Sequence, residues 1–203
     1  MARWDPGTQE RLTKAALELF TERGYDGVTV THIAERAGIT RRSYFRYFPD
    51  KREVLFAGSE ELPPAVGEAV RAVDASTPPL AAAFEALTAV GSLLVERIEN
   101  AAERRAVIDA SPELQERDRT KLAEISAAVR VALAHRGTDD GTARLVAQIA
   151  TVTFENAFVR WVDARGEEDF VTCLHAVSTS LRDSITAEAE ARPTSDPRPR
   201  HHR

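Results

Sequence analysis

A single cysteine, Cys173, stands among the 203 residues, so neither an intrachain disulfide nor a cysteine-based metal site can form. That suits a reducing compartment, and the expected location is the cytoplasm. No run of about 18 apolar residues occurs, which predicts no membrane span. The first 20 residues, "MARWDPGTQERLTKAALELF", carry several charges and no long apolar core, and so predict no secretory signal. Also missing are the GxSxG, HExxH, Walker and GxGxxG patterns, and no Cys/His pair stands at a suggestive spacing. His32, His135 and His175 are scattered. The expectation is therefore no enzyme, no cofactor and no metal. Internal repeats are absent, and so is strand alternation from residue 80 onward.

What is present is an acidic chain with a basic segment. At 43% hydrophobic and 29% charged residues the composition is that of an ordinary globular protein, with a formal net charge of −5. Residues 1–53 hold ten Lys/Arg and eight Asp/Glu, a balance of +2, and the remaining 150 hold 17 and 24, a balance of −7. Within 38–52 there are five basic residues against Asp50 alone, a balance of +4. A chain of this net charge can meet a polyanion only through such a local patch. The patch, "AGITRRSYFRYFPDK", interleaves Arg41, Arg42, Arg46 and Lys51 with Tyr44, Phe45, Tyr47 and Phe48. At about 100° per residue, Arg41, Arg42, Phe45 and Arg46 fall on one face of a short helix. Ser43, Tyr44, Tyr47 and Phe48 fall on the other, where Tyr44 and Phe48 anchor it.

The surrounding pattern predicts helices throughout. Leu12, Ala16, Leu19 and Phe20 mark an amphipathic helix over 8–23, closed by Gly24. Thr29 caps a second over 30–37, which Gly38 ends, and Thr40 caps a third over 41–47, which Pro49 ends. Two short helices joined at Gly38 read as a helix-turn-helix. Asp50 caps a long fourth helix opening "KREVLFA", which "ELPPAVGEAV", with Pro63 and Pro64, interrupts or kinks. Further helices are expected over 80–99, 101–109, 112–136, 142–164 and 168–186, with Ser111 as a cap and Pro112 in a first turn. Arg104 and Arg105 have two readings, contact with an acidic effector or a surface charge run, and the second is preferred. The tail, "ARPTSDPRPRHHR", is Pro-rich, basic and too polar to pack, so disorder is expected there. The fold class is all-α: a three-helix helix-turn-helix head of about 50 residues, followed by a bundle of about six helices. The expected domains are a DNA-binding head at 1–53, an effector-binding and dimerisation bundle at 54–190, and the tail at 191–203.

At "TVTHIAERAGITRRSYFRYFPDKREVLFA" the sequence resembles the TetR family of bacterial transcriptional regulators, over roughly residues 8–57. The resemblance implies a homodimeric, all-helical repressor whose third helix enters the major groove of a double-stranded DNA operator. Thr40, Arg41, Arg42 and Phe45 match recognition-helix positions, with Arg46 beside them; Tyr47 and Lys51 match phosphate contacts, and Thr29 and Thr31 lie at the start of the second helix. Arg42 stands where the family often has Gly, and Phe45 where it usually has Tyr. The resemblance also implies a small-molecule effector in the bundle, with Phe84, Leu87, Gly91, Leu94, Phe154 and Asn156 as candidate lining. Gly91 has two readings, close approach of another helix or room for a ligand. A dimer face on the last two helices is implied likewise, with Phe158, Trp161, Phe170, Leu174, Val177 and Leu181 as candidates. The competing reading is a helical partner-binding scaffold without DNA binding, which leaves the basic segment unexplained.

Overall fold

The computed structural model describes residues 6–191, and those residues are all-helical; the 192–203 part of the tail expected to be disordered lies outside them. The first helix, α1 (Pro6–Arg23), buries Leu12, Ala16, Leu19 and Phe20. It stops at Gly24, whose φ of +73° suits a residue without a Cβ. The second, α2 (Val30–Arg36), opens with a capping box: the Thr29 hydroxyl accepts from the His32 amide, and His32 Nδ1 accepts from the Thr29 amide. After a turn at Gly38, Thr40 caps α3 (Arg41–Tyr44) on the Ser43 amide at 3.1 Å. The third helix is shorter than 41–47. Its last turn tightens, with the Arg46 amide on the Ser43 carbonyl and the Tyr47 amide on that of Tyr44.

The long fourth helix expected from Lys51 does not form. Single 3₁₀ turns at Glu53–Phe56 and Ser59–Glu61 take its place, and α4 (Leu62–Ala72) starts only after them. The break is at Ala57, which is extended, and Gly58, whose φ is +79°. Pro63 and Pro64 therefore sit in the first turn of α4, where no intrahelical partner for their nitrogen is needed, and they kink nothing.

The rest of the bundle is α5 (Pro79–Val95), α6 (Ala101–Asp109), α7 (Pro112–His135), α8 (Asp140–Ala164) and α9 (Phe170–Ala191). Ser111 caps α7 on the Leu114 amide, with Pro112 next, and Asp139 caps α8 on the Thr142 amide at 3.0 Å. Helix α7 packs between α4 and α8, and α9 covers α8 and α5. Gly91 of α5 is the point of closest approach: a Cβ there would stand 2.2 Å from the Phe170 ring and 2.8 Å from that of Phe154.

Burial separates two cores. The first gathers α1 to α3 with Val54, Leu55 and Phe56, and takes Val107 and Ile108 from α6 and Leu114 from α7. The second joins α4, α5, α7, α8 and α9 around Leu87, Ile125, Leu133 and Phe154. The head thus shares its apolar centre with α6 and the start of α7, and that joint positions everything below.

Candidate nucleic-acid interface and ligand cavity

Helix α3 is held from beneath. Tyr44 is fully buried, its ring 5.6 Å from that of Phe48, and its hydroxyl donates to the Asp50 carbonyl at 3.0 Å. Burial and the nearby carboxylates of Asp50 and Glu53 push its phenol up, so it stays a neutral donor. Asp50 in turn accepts from the amides of Arg52 and Glu53 and from the Arg52 guanidinium. With one face anchored, the other points to solvent: Arg41, Arg42 and Arg46 are exposed, and so is 46% of Phe45. Arg41 lies over the Phe45 ring at 5.7 Å.

Charge pairing separates these arginines from others in the chain. Arg36 reaches Glu18 and Glu22, Arg52 reaches Asp50, and Arg117 reaches Glu53. Among the described residues, no carboxylate pairs with Arg41, Arg42 or Arg46. Three exposed, unneutralised guanidiniums, two on α3 and one just past its end, make a concentrated positive surface on an acidic molecule.

The other candidate residues of the head fall in two groups. Thr31 is exposed and Tyr47 partly so. Thr29 and Thr40 use their hydroxyls as caps. Lys51 differs from the expectation of an outward phosphate contact. Its ammonium donates to the carbonyls of Tyr25 at 2.9 Å and Val28 at 3.1 Å and lies 3.7 Å above the Tyr25 ring. It pins the loop between α1 and α2. The cations at 51 and 52 are thus met by the protein's own carbonyls and carboxylates, not by a helix dipole that they oppose.

A cavity of about 360 Å³ opens between the two cores. It is lined by the 55–62 segment, α5, α6, α7 and α8, with Val90, Leu94, Leu122, Phe154 and Phe158 supplying apolar wall. Of the expected lining, Leu94 and Phe154 are there. Phe84 and Leu87 lie in the second core instead. Gly91 is taken by the Phe154 and Phe170 rings, which settles its two readings in favour of helix approach. Asn156 is on the opposite face of α8, its amide donating to the Val152 carbonyl.

The cavity also holds charge. Arg97, Arg104, Arg105 and Lys121 line it, with Glu61, Asp118 and Glu155. Arg104 and Arg105 are therefore not a surface run. Arg105 pairs with Asp109 at 2.9 Å and faces Asp118 at 3.9 Å, and the Lys121 ammonium is 3.5 Å from Asp118. Arg104 donates to the Leu55 carbonyl, its Nε is buried without a partner, and burial lowers its pKa. Burial likewise pushes the Lys121 ammonium below the ordinary lysine value; Asp118 pulls it back, while Arg104 and Arg117 push it further down. A signal existed in the sequence: Arg104 stands four residues before Ile108, and Lys121 four before Ile125, so each continues an apolar stripe.

Helices α8 and α9 leave a shallow groove lined by Leu145, Ile149, Val152, Asn156, Val177 and Leu181. Leu145 and Val152 are more than half exposed. Of the expected dimer residues, Val177 and Leu181 lie here. Phe170 and Leu174 are buried within the chain, since their face of α9 turns to α5 and α8. Phe158 and Trp161 pack on each other at 5.5 Å, with Phe158 on the cavity wall.

Residues 12–57 match the family model for bacterial regulatory proteins of the tetR family. The HTH-type transcriptional regulator TcmR of Streptomyces glaucescens is 36% identical over 83 residues, 41% of this chain and 37% of that one. The HTH-type transcriptional regulator SrpR of Pseudomonas putida is 42% identical over 50 residues, 25% of this chain and 24% of its own. These alignments span well under half of the curated relatives' length. Over the whole chain, the likeness is one of fold. The SmeT–triclosan complex superposes with a TM-score of 0.58 at 18% identity, covering 97% of this chain and 100% of that one. NalD of Pseudomonas aeruginosa, a secondary repressor of an efflux pump, gives 0.58 at 17%, covering 87% and 96%. Among the described residues no helix is long and apolar enough to cross a membrane.

Proposed function

We propose that this chain, whose head is that of the TetR family of bacterial regulatory proteins, is a sequence-specific transcriptional repressor. It binds a palindromic operator as a homodimer in the cytoplasm and is switched by a small molecule held in the bundle. The observation that carries this reading is the set of exposed guanidiniums at Arg41, Arg42 and Arg46, which no carboxylate among the described residues neutralises, raised on an anchored helix and the turn that follows it. Arg41 and Arg42 suit bidentate contact with guanine, and the exposed Phe45 ring suits a thymine methyl or a sugar. Arg46, Tyr47 and Thr31 flank them for phosphates. Lys51 shapes the head from inside. The division of labour is a DNA-reading head at 1–53 and an effector and dimer bundle at 54–190.

One head presents a single short helix, so a two-fold pair reading half-sites about 34–36 Å apart, or a multiple, supplies the missing contacts. The α8–α9 groove, with exposed Leu145 and Val152, is the face for that pairing. The effector site is the cavity between the cores, which touches the head directly through Leu55 and Phe56.

The test begins with selection of bound fragments from genomic DNA, followed by gel shift on the recovered site. Arg41→Ala with Arg42→Ala is expected to weaken binding at least 100-fold, since each good bidentate pair discriminates by about 1–3 kcal/mol. The circular dichroism spectrum and melting temperature should hold, because both side chains are exposed. Wild-type affinity should fall steeply between about 50 and 200 mM salt. Recovery of no operator, or an unchanged affinity in the double variant, would leave the helical scaffold as the better reading.

A further inference from the structure

Resting on the reading of the cavity as the effector site, we infer that its ligand is an organic anion with an apolar body, the acid group held by Arg104 and Lys121. Three observations converge. The first is an imbalance of charge. Four cations and three carboxylates line the cavity, an excess of one positive charge, and Asp118 and Glu155 both act on Arg105. Asp118 is shared between Arg105 and Lys121, and Asp109 takes the remainder of Arg105. Among the described residues no carboxylate pairs with Arg104.

The second is an unmet donor. Arg104 turns one Nη to the Leu55 carbonyl, but its Nε–H is buried and donates to nothing. A buried charged donor without an acceptor is costly, and an acid group entering the cavity beside Arg104 supplies one. Lys121 adds a second positive group on the facing helix, α7, with only a shared carboxylate at 3.5 Å. Two desolvated cations from different helices, with one carboxylate shared among their neighbours, are stabilised by an added negative charge.

The third is the opposite wall. Val90, Leu94, Leu122, Phe154 and Phe158 surround the remaining volume with hydrocarbon and rings. A cavity of about 360 Å³ is at the small end for ligand sites, enough for a compact aromatic or medium-chain acid. A neutral apolar molecule fills that wall and leaves Arg104 as it is, and a small inorganic anion meets Arg104 and leaves the wall empty. An amphipathic acid does both.

The test uses two fluorescent probes of one scaffold: 8-anilinonaphthalene-1-sulfonate and its uncharged counterpart N-phenyl-1-naphthylamine. The wild-type protein is expected to bind the sulfonate at least about tenfold more tightly, a difference of about 1.4 kcal/mol. Arg104→Met and Lys121→Met should each erase most of that preference by weakening the sulfonate relative to the uncharged probe. Lys121→Met serves as the independent check, because Arg104 also holds the Leu55 carbonyl. Equal binding of the two probes by the wild type, or a preference that survives both substitutions, overturns the inference. Leu94→Trp separates this from the premise. If it abolishes both probes while no charge preference exists, the cavity reading stands and the anion does not. Should neither probe respond to Leu94→Trp, both ideas fall together.

Discussion

A single side chain decides whether α3 can present anything. Tyr44 is fully buried, and its hydroxyl satisfies the Asp50 carbonyl at the loop where the head turns toward the bundle. Tyr44→Phe keeps the ring packing and orphans that carbonyl, so a loss of about 0.5–1.5 kcal/mol is expected in urea unfolding. Lys121 is the opposite case, a group the unliganded fold tolerates at a cost. Its folded pKa is depressed, so the unfolded chain holds that proton more firmly, and the charged form penalises folding at every pH below the folded value. The penalty fades as pH rises from the depressed value toward the ordinary lysine value near about 10.4. Lys121→Met should therefore be more stable than the wild type near pH 7, with the gap narrowing at pH 10, read as urea midpoints. Under the proposed reading of the cavity, that is an exchange of stability for binding. At this scale the sequence was a partial guide. The exposed arginines and buried aromatics of α3 follow from periodicity within one helix. The role of Lys51 did not, because its acceptors lie more than 20 residues earlier in the chain.

At the level of elements, ends were more legible than continuity. Thr29, Thr40 and Ser111 cap where a hydroxyl precedes a periodic run, and Gly24 and Gly38 close helices with positive φ. These are local rules, and nothing distant overrides them here. The missing long fourth helix shows the limit: "KREVLFAGSEELPP" has helical texture, yet Gly58 turns left-handed and the prolines open a new helix. Which face of a helix meets which neighbour was least legible, and α8 shows why. Its buried face carries Ala143, Ala147, Ala150, Phe154 and Ala157, while Leu145, Ile149 and Val152 form a second apolar face. Both satisfy the same spacing, so spacing does not say which face pairs and which packs within the chain. Two sets of substitutions separate the core role from the proposed pairing role. Phe170→Ala opens a hole beside Gly91 and Phe154 and should cost about 3–5 kcal/mol of fold stability. Leu145→Glu with Val152→Glu should leave the chain folded but monomeric in sedimentation velocity, since charge then lies on the face proposed for pairing. A dimer that survives both glutamates moves the interface elsewhere.

For the molecule as a whole, the proposed switching depends on how firmly the head is tied to the bundle, and the tie is a cluster of contacts around one 3₁₀ turn. Glu53 accepts two hydrogen bonds from Arg117, with Nε at 2.6 Å and Nη2 at 3.2 Å. The Phe56 ring faces Arg117 at 5.4 Å and Lys121 at 5.5 Å, and Arg104 holds the Leu55 carbonyl. Farther along, the Tyr25 hydroxyl donates to Glu113 at 2.7 Å. Arg104 and Lys121 thus belong both to the cavity and to the joint, so a ligand that binds them acts on contacts of the head without a relay. The Glu53–Arg117 pair supports this joint but does not line the cavity, which makes it the place to test the tie alone. Its side chains keep only 22% and 16% of their exposure. Glu53→Gln then strands a largely buried guanidinium whose remaining Nη1 already lacks a partner. Breaking a fully buried pair costs about 3–5 kcal/mol, and this one, partly wet, should cost less. The loss should be uneven. Native-state hydrogen exchange should show protection falling in α1 and α2 and holding in α8 and in the 125–133 part of α7, because the second core does not include the joint. Glu53→Met with Arg117→Met should recover much of that protection, since an apolar pair of similar length strands no charge. If protection falls equally in both cores, the two are one cooperative unit, and a ligand in the cavity has no separable head to move.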